Sequence, residues 1–275
     1  MLSINTNIPS LTASRYLGAV NSDLNDTLTK LSTGKRINSA RDDVAGLSIS
    51  TIIDSTVRGL NIAIRNANDG VSLTQVAEGS LTEVTSILQR MRDLSVSAAN
   101  GVTADGGVEK TAQDNEAAAL SAEIDRIATQ TRYGSQVLMD GSFGTVNLQV
   151  GANAGETLSI TLNDMQAATL GVDAAALDLT TAAGASAAIT AIDTALASVA
   201  AERGSIGAVQ NRLDFAISNL QNVAENSTAA YGRIVDADIA MLTADLSKSQ
   251  VLQQAATAVM AQANAAPQLA LALLG

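Results

Sequence analysis

Cysteine, histidine and tryptophan are all absent from the 275-residue chain. Without them there are no disulfides, thiolate nucleophiles, zinc-type ligand sets or histidine-based general acid–base pairs. Serine triads of the usual kind are excluded with them. Proline occurs twice, and the aromatics number five: Tyr16, Tyr133, Tyr231, Phe143 and Phe215. Large rings normally supply much of a globular core's buried area, and here aliphatics must do so. Basic charge is also scarce. Sixteen Lys and Arg against 27 Asp and Glu leave a net charge of −11. No basic footprint exists for nucleic acid or for an anionic membrane surface. Residues 1–14 contain no basic residue, which argues against a secretory signal peptide.

What is present is aliphatic and periodic. Apolar residues make up 47% of the chain. Leu17, Leu24 and Leu31 repeat every seven residues, with Val20 and Leu28 in the same stripe, until Gly34. The spacing predicts a terminal helix, since sevenfold steps keep one face of a helix in register. A polar stretch, Lys35 to Asp43, precedes a second long pattern. There Ala77, Val84, Met91 and Ala98 form one stripe; Leu60, Ala67, Thr74, Leu81 and Leu88 form another. Asn68-Asp69-Gly70 resembles a turn, but the phase crosses it without a slip, predicting one helix over roughly 44–99. A helix over about 110–130 follows. Alternation at Val146, Leu148, Val150 and at Leu158, Ile160, Leu162 then predicts a β-hairpin. Residues 163–185, rich in Ala, Thr and Asp, read as a connector. Next, Ile192, Val199, Ile206, Leu213 and Leu220 define a coiled-coil seam, the second stripe being Ile189, Leu196, Arg203, Gln210, Ile217 and Ala224. After a charged stretch, Arg233 to Asp238, a last helix over about 240–265 carries Leu242, Leu246, Ala256, Met260 and Ala263 on one face.

The layout is palindromic: terminal helix, polar connector, long helix, β-bearing middle, long helix, polar connector, terminal helix. The expected fold is mainly α, a long antiparallel coiled-coil helical bundle with a small β-hairpin region and with the N- and C-terminal helices paired. No charged side chain occurs in 1–14 or in 249–275, so both ends read as surfaces buried against protein. Chemistry finds little support. Gly34-Lys35-Arg36 lacks the earlier glycine and the following Ser or Thr of a phosphate loop. Asp42-Asp43 and Asp236-Ala237-Asp238 read as partners of Arg36, Arg41 or Arg233, not as metal ligands. Arg90, Arg92 and Asp93 read as a solvated helix face. The sequons at Asn25 and Asn226 fall inside coiled-coil patterns and read as chance matches. No cofactor and no metal is expected.

The segment Leu31-Ser-Thr-Gly-Lys-Arg-Ile-Asn-Ser-Ala-Arg-Asp-Asp-Val-Ala-Gly-Leu-Ser-Ile-Ser50 closely resembles the amino-terminal signature of bacterial flagellins. So do Arg65-Asn-Ala-Asn-Asp-Gly70 and Gln89-Arg-Met-Arg-Asp-Leu-Ser-Val96. Leu148-Gln-Val-Gly-Ala-Asn153 is similar to the flagellin hairpin. Gly207-Ala-Val-Gln-Asn-Arg212, Arg233-Ile-Val-Asp-Ala-Asp238, Val251-Leu-Gln-Gln-Ala-Ala256 and Ala261-Gln-Ala-Asn264 resemble the carboxy-terminal signature. The resemblance implies a non-enzymatic subunit that self-assembles into the extracellular flagellar filament for swimming motility. Residues 1–43 and 233–275 would form the terminal coiled-coil inner domain with its connectors. Residues 44–232 would form a rod-like helical domain, with the hairpin at about 137–162 and the short connector 163–185 where relatives carry variable outer domains. Leu17, Leu24, Leu31, Leu246 and Met260 would serve polymerisation. Export through the flagellar secretion channel is implied, as are an export chaperone, a filament cap and hook-junction proteins as partners. Recognition by a Toll-like innate immune receptor is implied at Gln89, Arg90, Leu94 and Glu116, although Met91 and Asp93 depart from the family's Val and Glu. A hook–filament junction protein and a carboxylate-using coiled-coil enzyme are the alternatives.

Overall fold

A computed structural model describes the backbone over residues 6–272 and side chains over 6–266. Within these limits the elements run α1 (Ile8–Thr33), α2 (Val44–Ala98), α3 (Val108–Gln130), β1 (Arg132–Tyr133), β2 (Gln136–Val137), β3 (Gly144–Gln149), β4 (Thr157–Leu162), α4 (Ala167–Leu170), α5 (Ala182–Val235) and α6 (Ile239–Ala272). The chain is mainly α, with two small antiparallel sheets. It divides into two compact units, 1–56 with 225–275, and 57–224. Both divisions fall inside α2 and α5, not in the polar connectors at 43 and 233.

The helix boundaries have local causes. Asn7 accepts the Ser10 amide at 3.1 Å, Pro9 sits in the first turn of α1, and Gly34 closes that helix in the left-handed region at φ 67°. Asp43 Oδ1 accepts the Gly46 amide at 2.9 Å and starts α2. Thr181 Oγ1 accepts the Gly184 amide and starts α5. Asp238 Oδ1 accepts the Ala240 and Met241 amides and starts α6. Asp43 and Asp238 are therefore caps. Asp42 binds the Ser39 and Asn38 amides, which hold its carboxyl below the usual carboxylate range, Ser39 contributing most. The expected pairing of these aspartates with arginines gives way to backbone amides, because helix starts leave amides without partners.

In the unit formed by the chain ends, α1 packs antiparallel on α6. The Asn7 side chain donates to the Ala263 carbonyl at 2.8 Å, and Gln253 donates to the Asn21 side chain at 2.8 Å. The polar connectors meet as well. Arg36 N donates to the Val235 carbonyl, Ala237 N to the Gly34 carbonyl, and the Arg36 guanidinium to the Ile234 carbonyl. Both connectors are thus joined by backbone, forming an antiparallel bridge between Lys35 and Asp236.

The unit 57–224 holds the core. Ala77, Leu81, Val84, Leu88 and Met91 of α2 are buried with Ile192, Val199, Ile206 and Leu213 of α5, as the sevenfold spacing predicts. By length and composition α5 would also pass as a membrane span, but this seam commits its apolar face to the core. Strands β3 and β4 pair Val146 with Ile160 and Leu148 with Leu158, the register that the alternation predicts. Their apolar face joins the same core.

Three features differ from the sequence reading. The two-residue ladder of β1 and β2 carries no periodic signal, and it turns through Gly134 at φ 62°. Helix α5 continues through Gly232 to Val235, and α6 extends past 265 to Ala272. Residues 163–185 are no open connector. The segment includes α4 and the start of α5, and it buries Met165, Ala167, Leu170, Val172, Leu177, Leu179 and Ala185.

Candidate functional site

The sequence motifs find their physical reasons in pairs. In α2, Asn66 donates its side-chain amide to the Gln149 carbonyl of the hairpin at 3.1 Å. One turn on, a Cβ at Gly70 would lie 2.5 Å from Leu148 Cδ2 and 3.3 Å from Leu213 Cδ1. Gly59 lies similarly close to Ala152, where an added Cβ would meet another at 3.1 Å. The stretch Arg65–Gly70 and the stretch Leu148–Asn153 are therefore two halves of one contact, in which the hairpin rests on the helix backbone. Gln210, from the motif ending at Arg212, donates to Glu78 Oε2 on α2 at 3.2 Å. In the unit of the chain ends, a Cβ at Gly46 would meet the buried Ile37 and its own capping Asp43 within 2.6 Å. These motifs position backbone and shape; nothing in them converges as a catalytic centre does.

The surface left uncovered is apolar. Leu17, Leu24, Leu31, Leu246 and Met260 are half-buried along the sides of α1 and α6 that carry the buried Ala13, Thr27, Ser249 and Ala263. Ile8, Leu11, Tyr16 and Leu28 of α1 stand exposed, as do Ile239, Met241, Val251, Leu252 and Val259 of α6. Leu11 keeps 74% of its surface and Val251 65%. Leu28, assigned above to the inner stripe, is turned outward; four residues on from Leu24, it falls about 40° off that stripe's direction. Single exposed aliphatics are ordinary, but a run of them along two paired helices that carry only six charged side chains between them marks an interaction surface. The buried contacts within this unit are small by comparison. The two clusters of buried apolar side chains among the described residues both lie within 57–224.

Of the four residues proposed for receptor recognition, three reach the surface. Arg90 of α2 makes a two-pronged contact with Glu116 of α3, Nε at 2.9 Å and Nη2 at 2.7 Å from the same oxygen, and Gln89 is exposed beside it. Leu94 is 6% exposed and belongs to the core, so its side chain offers no surface. Arg92 pairs with Asp193 of α5 at 2.7 Å, and the hydrogen bond to Asp193 holds the guanidinium above its ordinary pKa. The arginines of this segment thus tie helices together rather than forming only local pairs.

Comparison with known proteins agrees with this geometry. The family described as the bacterial flagellin N-terminal helical region matches residues 4–144, and the bacterial flagellin C-terminal helical region matches 189–274. A flagellin of Halalkalibacterium halodurans is 43% identical over 271 residues, covering 98% of this chain and 99% of that one. Polar flagellin F of Vibrio parahaemolyticus is 34% identical, in an alignment of 377 positions that takes in all of both chains. Among solved structures, a candidate flagellar hook-associated protein from Vibrio parahaemolyticus superposes with a TM-score of 0.59 at 16% identity, covering 71% of this chain and all of that one. That likeness is one of fold alone. Flagellins are structural proteins, not enzymes, and they polymerise into the flagellar filament outside the cell. The chain belongs to the bacterial flagellins, as a minimal form without the outer domains that longer members carry.

Proposed function

We propose that this flagellin polymerises through the outward-facing apolar side chains of α1 and α6, and that these two helices order fully only when a neighbouring subunit covers them. The observation that carries this reading is the contrast between the two sides of the helix pair. Its inner side holds Ala13, Thr27, Ser249 and Ala263 with half-buried leucines, whereas Leu11, Tyr16, Val251 and Val259 point away. A helix gains most of its stability from packing its apolar face, and here the bulkier part of that face awaits another molecule. Leu17, Leu24, Leu31, Leu246 and Met260 then act in polymerisation by holding α1 and α6 together, so that the outer side chains are correctly presented. Heterologous contacts that do not close into a ring give a helical polymer. Limited proteolysis of monomer and filament tests the coupling. Residues 1–30 and 245–275 are expected to be cleaved in the monomer and protected in the filament; equal resistance in both forms overturns it.

Export through the flagellar secretion channel, with an export chaperone, a filament cap and hook-junction proteins as partners, belongs to the same reading by family membership. Recognition by a Toll-like receptor is a separate activity, supported by the exposure of Gln89 and of the Arg90–Glu116 pair. In a receptor reporter assay, Arg90→Ala is expected to lower the response at least tenfold with unchanged helicity. A response equal to that of the parent chain would remove these residues from the account.

A further inference from the structure

The stretch between the hairpin and α5 is held by its backbone, and the groups that hold it are carboxylates. Glu202 of α5 accepts both the Asn163 amide, at 3.2 Å, and the Asn163 side chain, at 2.6 Å. Asp125 of α3 accepts the Ala167 amide at 2.8 Å. Asp114, three turns earlier on α3, accepts the Leu179 amide at 3.0 Å. Asp105 accepts the Ala182 amide at 3.1 Å and also the ammonium of Lys110, whose side chain is wholly buried. Four carboxylates from three parts of the chain thus grip four amides along some twenty residues. Between these points the stretch lays Met165, Leu170, Val172, Leu177 and Leu179 over the core.

We propose that residues 163–182 form a strap that is fastened by these four carboxylates and lifts as one unit when they are neutralised, before the seam of α2 and α5 gives way. An amide bound to an ionised carboxylate makes a charge-assisted bond, roughly twice as strong as one to a neutral acceptor. Protonation removes that advantage at four places on one short stretch. Beyond its buried apolar side chains, the strap's remaining polar attachments are few: Met165 N to the Met139 carbonyl, the Gln166 side chain to the Asp140 carbonyl, and Gly106 N to the Thr180 carbonyl. The seam of α2 and α5 rests on a longer run of buried aliphatics, with the Arg92–Asp193 and Arg203–Glu78 ion pairs beside it.

The charges facing the strap set the direction. On the strap itself stand Asp164, Asp173 and Asp178; Asp164 accepts from Gln166 and Thr169, and Asp178 from Thr180. Beneath it are Asp105, Asp114, Asp125, Asp140 and Glu202. Lys110 faces Asp105, and Arg126 is engaged by Glu123 and Gln130. Among the described residues no Lys or Arg lies in ion-pair range of Asp114, Asp125 or Glu202. The Lys110 hydrogen bond, followed by the Ala182 amide, holds Asp105 below the ordinary value of 3.8. A depressed folded-state pKa contributes stability that is present above the unfolded value and lost as pH falls through the folded one. Repulsion between strap and platform is relieved by the same acid. It acts through solvent at longer range and is screened by salt, so loss of the direct bonds dominates.

Amide hydrogen exchange on the full chain, corrected for the intrinsic pH dependence, tests the strap. Between pH 7 and pH 3, protection at Ala167 and Leu179 is expected to fall at least tenfold relative to Ile192 and Val199. A ratio that stays constant across this range overturns the proposal. In the double variant Asp114→Asn with Asp125→Asn, the acceptor oxygen is kept and the charge removed, and the ratio should lose most of its pH dependence. A folded variant with the parent chain's pH profile would also overturn it.

Discussion

Glycines carry more of this fold than their usual role in turns suggests. Gly70 sits in the middle of a 55-residue helix, where alanine would ordinarily be preferred by about 1 kcal/mol. An added Cβ would lie 2.5 Å from Leu148 Cδ2 and 3.3 Å from Leu213 Cδ1, so both side chains would have to move to admit it. Gly70→Ala is therefore expected to destabilise unit 57–224 by about 1–3 kcal/mol, read as a lower midpoint in urea denaturation. Gly79, on the same helix with open space around it, is the control, and its change to Ala should stabilise by up to about 1 kcal/mol. Opposite signs at two glycines of one helix separate packing from propensity. The sequence marks Gly70 only as an apparent turn, since the residues that crowd it lie about 80 and 140 positions further on.

Elements follow the same division between near and distant causes. The α2 and α5 seams, the hairpin register and the stop at Gly34 were all legible, because each rests on a period or a residue type within one element. Ile192→Ala, at a fully buried seam position, is expected to cost about 2–5 kcal/mol in chemical denaturation. The caps were less legible. Asp43 and Asp238 occur in clusters with arginines nearby in sequence, and charge complementarity suggested ion pairs; the unpaired amides of the following helix took them instead. Asp43→Ala should cost about 1 kcal/mol, and Asp43→Asn much less, since a side-chain oxygen remains to accept the Gly46 amide. The strap was not legible at all. Its composition resembles that of a linker because its fastenings are carboxylates 39–77 residues away, and amides leave no mark on side-chain pattern. Leu94 was misplaced for a related reason. The family resemblance places it in a recognition patch, whereas the heptad phase puts it between Met91 and Ala98, both buried.

At the scale of the whole molecule, the shortage of aromatics, histidine and cysteine matches a chain that works by packing helices. The aliphatic seams of unit 57–224 close within one chain, although Val102, Val108 and Phe215 stand exposed on it. The paired terminal helices do not, since Leu11, Tyr16, Val251 and Val259 face outward and no cluster of buried apolar side chains supports them from within among the described residues. The two units should consequently differ in stability in the monomer, with α1 and α6 amides exchanging faster than those of α2 and α5; uniform protection would contradict this. Electron microscopy of concentrated, seeded protein tests the central claim most directly, with the parent chain beside a Leu11→Ser, Val251→Ser variant. Long tubes of uniform diameter are expected from the parent chain and monomer from the variant, with unit 57–224 still folded. A parent chain that remains monodisperse, or a variant that forms the same tubes, would contradict it.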